Sequence, residues 1–439
     1  MPHTRREFLQ RVGGAAVVYR FVDSGPFLKA AGANDQIGLG FIGVGIQGTN
    51  LLRAFKAIPG VRPVAVVDLY DGHLARAREI MEGGVATGKS YEDLLGRKDV
   101  DAVVIATPDH WHRRMVLDAL DAGKDVYIEK PMTWSIEQGK SIIDQVKKKG
   151  RLLQVGSAGK TSAVTAKARE IVKSGAIGKV NMVRMANNRN SPEGAWVYPI
   201  PPDASPQTID WARFLGPAPR RPFDAKIFFR WRCWWEYSGG VATDLFVHML
   251  TTLHEIMETV APRSVVSQGG IYRWNDGRSV PDVMNSVFEY PENFIADLYV
   301  NLGNSRAPHG TVIMGTEGTL LMEGMNRLVV YPEQEPPAAQ RGAVASWPEA
   351  MQRRYFESLG YTADGKPKEA RPPKKEQEIK VPRGPSHFEY FIMSLRDRSP
   401  SREDALAGHY AAGAAHLANI AYRKGRRMHW DLKTDRVSG

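Results

Sequence analysis

Two ionisable residues with helical spacing are the first candidates for catalytic chemistry. Asp244 and His248 lie four residues apart, and the apolar residues Leu245, Met249 and Leu253 around them recur with the period of a helix. This spacing predicts that both side chains lie on one helix face. A carboxylate beside an imidazole fixes its tautomer and raises its basicity, so the pair is suited to proton transfer.

A glycine-rich motif between a predicted strand and a predicted helix indicates a dinucleotide site. The apolar run from Gln36 to Ile42 leads directly into Gly43-Val44-Gly45-Ile46-Gln47-Gly48, and a helical pattern follows. In such a motif the first glycine permits a tight turn, the second lets the backbone approach a pyrophosphate, and the third lets the helix pack against the strand. The helix N-terminus would then face the phosphates.

Asp68 favours NAD over NADP as the cofactor. It ends the next apolar run, Val64 to Val67, twenty residues after Gly48. A carboxylate at this position accepts hydrogen bonds from the ribose hydroxyls and would repel a 2′-phosphate. Leu69 and Tyr70 follow, with no arginine beside them. We therefore expect NAD, with NADP as the less favoured cofactor.

Alternating strands and helices continue to residue 156 and predict a doubly wound Rossmann domain. Unbroken apolar runs at Asp101–Ala106, Asp125–Ile128 and Leu152–Val155 are typical of buried parallel strands. Ligands of such folds bind beyond the carboxyl ends of the strands. The segments 107–112 and 129–131 are therefore expected to line the cofactor crevice.

The ordered motifs of this chain resemble the glucose–fructose oxidoreductase and inositol dehydrogenase family (Gfo/Idh/MocA). The matching motifs are Gly43-x-Gly45-x-x-Gly48, Thr107-Pro108 with His112, Glu129-Lys130-Pro131, and Gly239-Gly240-x-x-x-Asp244-x-x-x-His248. Their order and spacing extend over most of the chain from Gln36 to Asp431.

The resemblance implies a fold and a set of site residues. The fold would be an α/β Rossmann domain followed by an α+β domain with an open, mainly antiparallel sheet. Lys130 would reach both the nicotinamide ribose and the substrate hydroxyl, with Asp244 and His248 facing it across the active site. Thr107, Pro108, His112 and Glu129 would bind the cofactor with Lys130. Oxidation of a secondary alcohol needs one base, and either Lys130 or His248 can serve.

Four further residues are candidates for substrate contact. Lys160 follows the last strand of the first domain, where relatives usually carry two glutamines and an arginine. Asn188 lies in a polar segment after the strand predicted at 180–186. Arg230 and Tyr237 belong to an aromatic-rich run, 228–237, whose rings could stack on a sugar or pack in the core.

The length of 439 residues exceeds what one hydrophobic core usually serves, so several segments are expected. Residues 34–156 would form the NAD-binding domain and 157–384 the substrate and oligomerisation domain, with an insertion at 332–384. Residues 385–439 would be helices that pack back toward the Rossmann domain. Residues 1–33 resemble a twin-arginine export signal, with Arg5-Arg6 before a short apolar stretch. If this signal directs export, the protein is expected to be periplasmic or secreted. If it does not, the protein is expected to be cytoplasmic.

Charge and cysteine content limit the possible functions. The net charge is +11, of which the first 33 residues contribute +3, and the remainder shows no nucleic-acid recognition motif. Cys233 is the single cysteine, so an intramolecular disulfide and a cysteine-ligated metal are excluded. No His-Glu-x-x-His pattern suggests a catalytic metal. No stretch of about 18 apolar residues predicts a membrane span.

The sequence therefore predicts an NAD(P)-dependent oxidoreductase that acts on a secondary hydroxyl of a sugar or glycoside. One alternative is a redox-neutral NAD-dependent glycosidase, lyase or epimerase whose tightly bound cofactor is recycled in place. Another is an inactive binding or scaffold protein of the same fold. The open sheet predicts a homodimer or homotetramer, because an uncovered sheet face is normally buried by another subunit.

Overall fold

The structure is a computed structural model of the chain and describes residues 36–306, 310–324, 326–334, 340–366 and 373–439. The predicted export leader, residues 1–33, lies outside the described residues.

The first sheet is the parallel sheet expected of a Rossmann domain. Its strands have the order β3-β2-β1-β4-β5-β6, and each neighbouring pair is parallel. This order places the ligand crevice beyond the carboxyl ends of β1 and β4, where the winding reverses direction. The strands are β1 (Ile37–Ile42), β2 (Val61–Val67), β3 (Ala86–Gly88), β4 (Ala102–Ile105), β5 (Asp125–Ile128) and β6 (Leu153–Val155).

Five helices connect these strands. Apolar residues of β1, β2, β4 and β5 are buried on both faces of the sheet, as the unbroken apolar runs predict. The helices are α1 (Ile46–Lys56), α2 (Asp71–Ile80), α3 (Tyr91–Leu95), α4 (Asp109–Asp121) and α5 (Gln138–Lys149).

The second sheet has ten strands and confirms the predicted open, mainly antiparallel architecture. The order is β14-β13-β12-β11-β7-β10-β9-β8-β15-β16, and β7 with β10 is the one parallel pair of this sheet within the described residues. The strands are β7 (Val180–Asn188), β8 (Ser264–Gly270), β9 (Val283–Tyr290), β10 (Phe294–Asn301), β11 (Gly310–Gly315), β12 (Gly318–Glu323), β13 (Arg327–Pro332), β14 (Gln377–Lys380), β15 (Met428–Asp431) and β16 (Arg436–Ser438).

Helices cover one face of this sheet, and its largest buried cluster lies between the two layers. A π-helical turn, Ala242–Phe246, leads directly into α9, and short 3₁₀ turns occupy Gly159–Thr161 and Trp231–Cys233. The helices are α6 (Ala163–Lys173), α7 (Trp211–Leu215), α8 (Ala225–Phe229), α9 (Val247–Met257), α10 (Arg341–Val344), α11 (Glu349–Ser358), α12 (His387–Asp397) and α13 (Ala405–Lys424).

Three details differ from the sequence prediction. The residues from Ser264 to Trp274 predict one continuous strand, but the strand ends at Gly270, because the backbone N–H groups of residues 272–274 donate to the Asp282 carboxylate instead of to a neighbouring strand. The predicted insertion at 332–384 contributes the edge strand β14. The C-terminal segment is not only helical, because β15 and β16 extend the sheet.

The C-terminal helices contact both halves of the molecule, because α13 packs against α9 and β8 of the second domain and both helices also contact the Rossmann domain. Phe391 of α12 packs against Phe55 and Tyr127 of the Rossmann domain, with ring centroids 6.2 and 5.6 Å apart. His416 of α13 bonds through Nε2 to the carbonyl oxygen of Thr133 at 2.8 Å. Within the described ranges, no helix is both long enough and apolar enough to cross a membrane.

Candidate active site

The glycine turn between β1 and α1 has the geometry of a dinucleotide-binding loop. Gly43 has a φ of +84°, a left-handed conformation that favours glycine. A Cβ on Gly48 would lie 2.0 Å from the carbonyl oxygen of Gly43, so a side chain there would push α1 away from the turn. A Cβ on Gly45 would meet only His73 at an ordinary 3.5 Å, and Gly45 lines a cavity. The turn therefore leaves open space where a pyrophosphate would approach.

Asp68 is held at the end of β2 beside this turn. Its Oδ2 accepts from the Val44 N–H at 2.8 Å, and its Oδ1 accepts from the Tyr70 N–H at 2.9 Å. His73 Nδ1 lies 3.1 Å from Oδ1. Burial would raise the pKa of Asp68, but the charge and hydrogen bond of His73 and the two backbone donors outweigh burial and lower it. Asp68 is therefore a carboxylate at the cavity wall, as its proposed ribose contact requires.

A cavity of about 590 Å³ extends from the glycine turn to the second domain. Of the predicted cofactor residues, its lining includes Gly43, Gly45, Ile46, Asp68, Thr107 and Pro108. From the second domain it includes Tyr198, Phe228, Phe229, Trp231 and Arg232. The size and mixed lining are those of a site for a small organic ligand.

Residues 198–214 of the second domain, which we call the covering segment, are bound directly to the Rossmann domain. Tyr70 donates from its hydroxyl to Asp203 Oδ1 at 2.5 Å. The Asp71 N–H donates to the Thr208 carbonyl oxygen, and the Asp210 N–H donates to that of Leu69. One wall of the cavity is therefore attached to the loop that follows Asp68.

Several predicted cofactor residues form hydrogen bonds that join the segments around the crevice. Gln47 Nε2 donates to Glu129 Oε1 at 2.8 Å, which joins the start of α1 to the end of β5. Burial raises the pKa of Glu129. His112 is almost fully buried, and its Nδ1 and Nε2 lie 2.6 Å from the Pro131 carbonyl oxygen and 2.9 Å from the Thr107 carbonyl oxygen. His112 therefore connects two loops of the crevice, and its direct contact with the cofactor stays a prediction.

Lys130 and Asp244 meet across the two domains. Lys130 Nζ donates to Asp244 Oδ1 at 2.7 Å and to the Asp244 carbonyl oxygen at 3.0 Å. Arg232 Nε donates to the same Oδ1 at 3.0 Å. Burial would raise the pKa of Asp244, but the positive charges of Lys130 and Arg232 hold it well below its usual range. The Asp244 carboxylate is therefore the shared counter-charge of two cations.

His248 is oriented by the backbone, which corrects the expected Asp244–His248 pair. Its Nδ1 bonds to the Ser157 carbonyl oxygen at 2.9 Å. A carbonyl oxygen only accepts, so Nδ1 carries the proton and Nε2 keeps its lone pair. Burial, together with the charge of Lys130, lowers the pKa of His248 to about 4. At neutral pH His248 is therefore a neutral imidazole with an accepting Nε2.

A buried acid, Asp109, lies behind these groups at the start of α4. Its Oδ2 accepts from the Gly239 N–H at 3.4 Å and from the Thr243 hydroxyl at 3.5 Å. Burial raises the pKa of Asp109 to about 7, against the opposing charges of Arg232 and Lys130. Asp109 joins the first domain to the glycine pair that precedes the π-helical turn.

The predicted substrate residues do not gather at one place. Lys160 Nζ lies 3.5 Å from Glu255 Oε2, and Asn188 is buried in β7, where its Oδ1 accepts from the Asn301 N–H. Arg230 Nε donates to the Tyr198 carbonyl oxygen at 2.8 Å. Tyr237 has no exposed surface and packs in the core. Tyr237 and Asn188 are buried and do not line the cavity, and substrate contact by either residue stays a prediction.

Sequence reasoning missed His73 and Arg232. His73 lies five residues after Asp68 and reaches it only because α2 begins at Asp71. Arg232 lies two residues after the predicted Arg230, and nothing in the sequence distinguishes the two. Cys233, next to Arg232, is buried, and burial raises the pKa of its thiol to about 11. In the described part of the chain, no three His, Cys, Asp or Glu side chains are placed to hold a metal ion.

The glycine turn, the carboxylate after β2 and the cavity between them define a dinucleotide-binding protein of the Rossmann class. A family model described as an oxidoreductase family with an NAD-binding Rossmann fold matches residues 37–157, and the Gfo/Idh/MocA C-terminal domain matches residues 165–321. The chain therefore belongs to the Gfo/Idh/MocA family of NAD-binding oxidoreductases, and the resemblance noted from the motifs is confirmed.

Curated relatives match part of the chain. A glycosyl hydrolase family 109 protein from Shewanella baltica is 35% identical over 118 residues, which are 25% of this chain and 26% of that protein. An alpha-N-acetylgalactosaminidase from Shewanella oneidensis matches over the same length at 35% identity. The chain thus spans about a quarter of the length of these relatives.

Solved structures share the fold over nearly the whole described chain. Levoglucosan dehydrogenase in complex with NADH and levoglucosan has a TM-score of 0.65 at 15% identity and covers 90% of this chain and 99% of its own. The WlbA dehydrogenase from Bordetella pertussis, in complex with NADH and UDP-GlcNAcA, has a TM-score of 0.63 at 18% identity and covers 91% and 99%. At these identities the likeness concerns the fold alone.

Proposed function

We propose that this protein is an NAD-dependent oxidoreductase that moves hydride between a secondary hydroxyl of a sugar or glycoside and the nicotinamide. The observation that carries the proposal is the arrangement of three groups at the domain boundary. Lys130 is the cation of an ion pair with Asp244, and the neutral His248 lies near both, as its pKa shift indicates. A nucleotide cavity extends from the glycine turn to Arg232, the second partner of Asp244.

Each of these residues has a different role in alcohol oxidation. Lys130, as an ammonium, has N–H donors and no acceptor, so we assign it to binding and orienting the substrate oxygen. The hydroxyl proton passes to Nε2 of His248, the group with the free lone pair. NAD, when bound, supplies the hydride acceptor. Asp244 holds Lys130 in place, and the Ser157 carbonyl holds the His248 tautomer.

The residues around the cavity fit NAD. Gly43, Gly45 and the N-terminus of α1 would hold the pyrophosphate, and Asp68 would accept from the adenosine ribose. His73 stands beside Asp68, and the charge of Asp68 raises the pKa of His73 against the effect of its burial. We propose NAD as the preferred cofactor, because the Asp68 carboxylate would repel a 2′-phosphate.

The direct test measures reduced nicotinamide formed from NAD with a panel of sugars and glycosides. Lys130→Met and His248→Ala should each abolish turnover. Lys173→Met and His429→Ala, at exposed positions, are matched controls that should not. The mechanism fails if both active-site variants keep wild-type rates.

A redox-neutral reaction is the second candidate, and the covering segment favours it. A cofactor under a wall that is bonded to Tyr70, Asp71 and Leu69 would exchange slowly, so its hydride would have to return to the bound substrate. The test is to quantify NAD released by denaturing the purified protein, and to follow glycoside cleavage without added NAD. Product without net nicotinamide reduction would support this chemistry, and a strict need for added NAD would exclude it.

We propose further that the open face of the ten-stranded sheet forms a homodimer or homotetramer interface. Strand register aligns Ile295, Met182, Met314, Thr319 and Tyr331 in one row across this face. Ile295 and Tyr331 are 39% and 40% exposed. Ile295→Glu should give a monomer in sedimentation analysis, whereas Val260→Glu, at an exposed position in the loop after α9, should not.

Two sequence expectations remain as proposals beside this function. We propose that the leader directs export, which cell fractionation of an Arg5→Lys, Arg6→Lys double variant would test. We also propose that the first domain ends at residue 156 and that residues 385–439 pack back against it. Limited proteolysis would test that division by the position of its first cuts.

A further inference from the structure

The guanidinium of Arg232 is the strongest feature that the proposed function leaves unexplained. Its Nε donates to Asp244 Oδ1, and its Cζ lies 4.2 Å from the centroid of the Trp231 ring. These two contacts fix the plane of the guanidinium. The side chain lines the cavity and keeps 21% of its surface exposed.

Arg232 has hydrogen-bonding capacity left for a ligand. A guanidinium has five N–H donors, and the contact with Asp244 uses one. Across the described ranges of the chain, its two terminal nitrogens make no hydrogen bond to a protein group. The side chain lines the cavity, so these donors are available to a ligand that supplies acceptors. The fork of two terminal nitrogens matches the two oxygens of a carboxylate.

The surrounding cations favour a negative ligand at this place. Lys130 shares Asp244 Oδ1 with Arg232. Arg189 is close enough for its charge to act on Asp244 and on His248. The charges of three cations therefore act on the Asp244 carboxylate.

Two other carboxyl groups face the same cations from the Rossmann side. Asp109 and Glu129 both interact with Lys130 and Arg232, and burial raises the pKa of each. Both are almost fully buried, and each already accepts hydrogen bonds from the protein. Both carboxyl groups are therefore bonded within the protein and leave the cavity side of Arg232 open.

We propose that the substrate is an acidic sugar, a uronic acid or a glycoside of one, whose carboxylate is bound by the terminal nitrogens of Arg232. This inference rests on the proposed function, because it takes a sugar hydroxyl to bind at Lys130. Arg232 and Lys130 are each one hydrogen bond from the same Asp244 oxygen, so one sugar ring can reach both.

The cofactor's own phosphates are the competing anion. The glycine turn and the N-terminus of α1 provide their site without Arg232. Arg232 is instead tied to Asp244, on the Lys130 side of the cavity, where the substrate is proposed to react. This position assigns its free donors to the substrate.

The test measures binding of sugars to the protein loaded with NADH, by calorimetry. The probes are D-glucuronate, D-galacturonate and D-mannuronate, each compared with its neutral hexose. We expect at least one uronate to bind about tenfold or more tightly than its hexose, as a charge-assisted bidentate contact implies. Arg232→Lys keeps the charge but loses the fork and should remove most of this preference. Arg189→Gln, which leaves the Arg232–Asp244 contact intact, should reduce the preference in part.

Arg184→Gln, on the open face of the sheet, is the matched control and should bind uronates as the wild type does. The inference is overturned if NADH binds but no uronate binds more tightly than its hexose, or if D-glucose 6-phosphate binds more tightly than D-glucuronate. It is also overturned if Arg232→Lys weakens NADH binding and leaves uronate binding unchanged. Failure of the wild type to bind NADH would instead refute the proposed function.

Discussion

Replacing Asp244 with asparagine tests the charge arrangement at the domain boundary. The side chains of Asp244, Lys130 and Arg232 are only 12%, 11% and 21% exposed, and the two cations share one carboxylate oxygen. Asparagine keeps the shape but removes the negative charge, so two shielded cations remain without a counter-charge between them. We expect the free energy of unfolding to fall by about 3–5 kcal/mol, the range for removing one partner of a buried ion pair.

Urea unfolding at neutral pH, followed by tryptophan fluorescence, measures this loss. Asp364→Asn is the matched control, because it breaks an ion pair with Lys366 in which the two side chains are 58% and 68% exposed. An exposed pair contributes at most about 1 kcal/mol. The control should therefore unfold at nearly the wild-type urea concentration.

The pH dependence of this difference has a definite sign. Lys130 and Arg232 hold the pKa of folded Asp244 well below its usual range, whereas the unfolded chain has a value near 3.9. The stabilisation is therefore complete above about pH 4 and is lost as the pH falls further. The wild type should approach the Asp244→Asn variant in stability as the solution is acidified. A loss of unfolding free energy in Asp244→Asn no larger than that in Asp364→Asn would refute the shared-carboxylate arrangement.

Three more predictions concern catalysis and cofactor binding. The kcat/KM of the enzyme should fall as the pH drops through about 4, where protonation removes the lone pair of His248, and an acid limb near 6.5 would contradict this assignment. Asp68→Asn should narrow the preference for NAD over NADP about tenfold in parallel titrations, and an unchanged ratio would exclude the ribose role. Tyr70→Phe removes the hydrogen bond to Asp203 and should speed NAD release about tenfold in stopped-flow displacement. An unchanged release rate would show that the covering segment does not retain the cofactor.

The dinucleotide turn could be predicted because its requirements are local. Gly43 needs a left-handed backbone, and Gly48 needs to be without a side chain because the Gly43 carbonyl lies against it. Both requirements arise within six residues, so the spacing of the glycines is enough to predict the turn. The strand order follows from the same local alternation, because parallel strands joined by right-handed crossovers have few possible arrangements.

The partners of Asp244 could not be predicted in this way. Helical spacing predicts that Asp244 and His248 lie on one helix face, and the two residues lie in a π-helical turn and in the α-helix that follows it. Asp244 pairs with Lys130, which is 114 residues away in the chain, and His248 bonds to a backbone carbonyl. A charged side chain pairs with the group that the tertiary fold places next to it. The spacing of residues within one segment therefore cannot identify a partner from a distant segment.

The aromatic run before the glycine pair shows how local conformation selects a site residue. Residues two apart share a face in a strand, but Trp231–Cys233 is a 3₁₀ turn, in which residues two apart point in different directions. Arg230 accordingly reaches the backbone of Tyr198, whereas Arg232 reaches Asp244 and the cavity. Composition can therefore predict that this run supplies both core and cavity residues, but the assignment of each residue depends on a turn whose conformation only the packed structure determines.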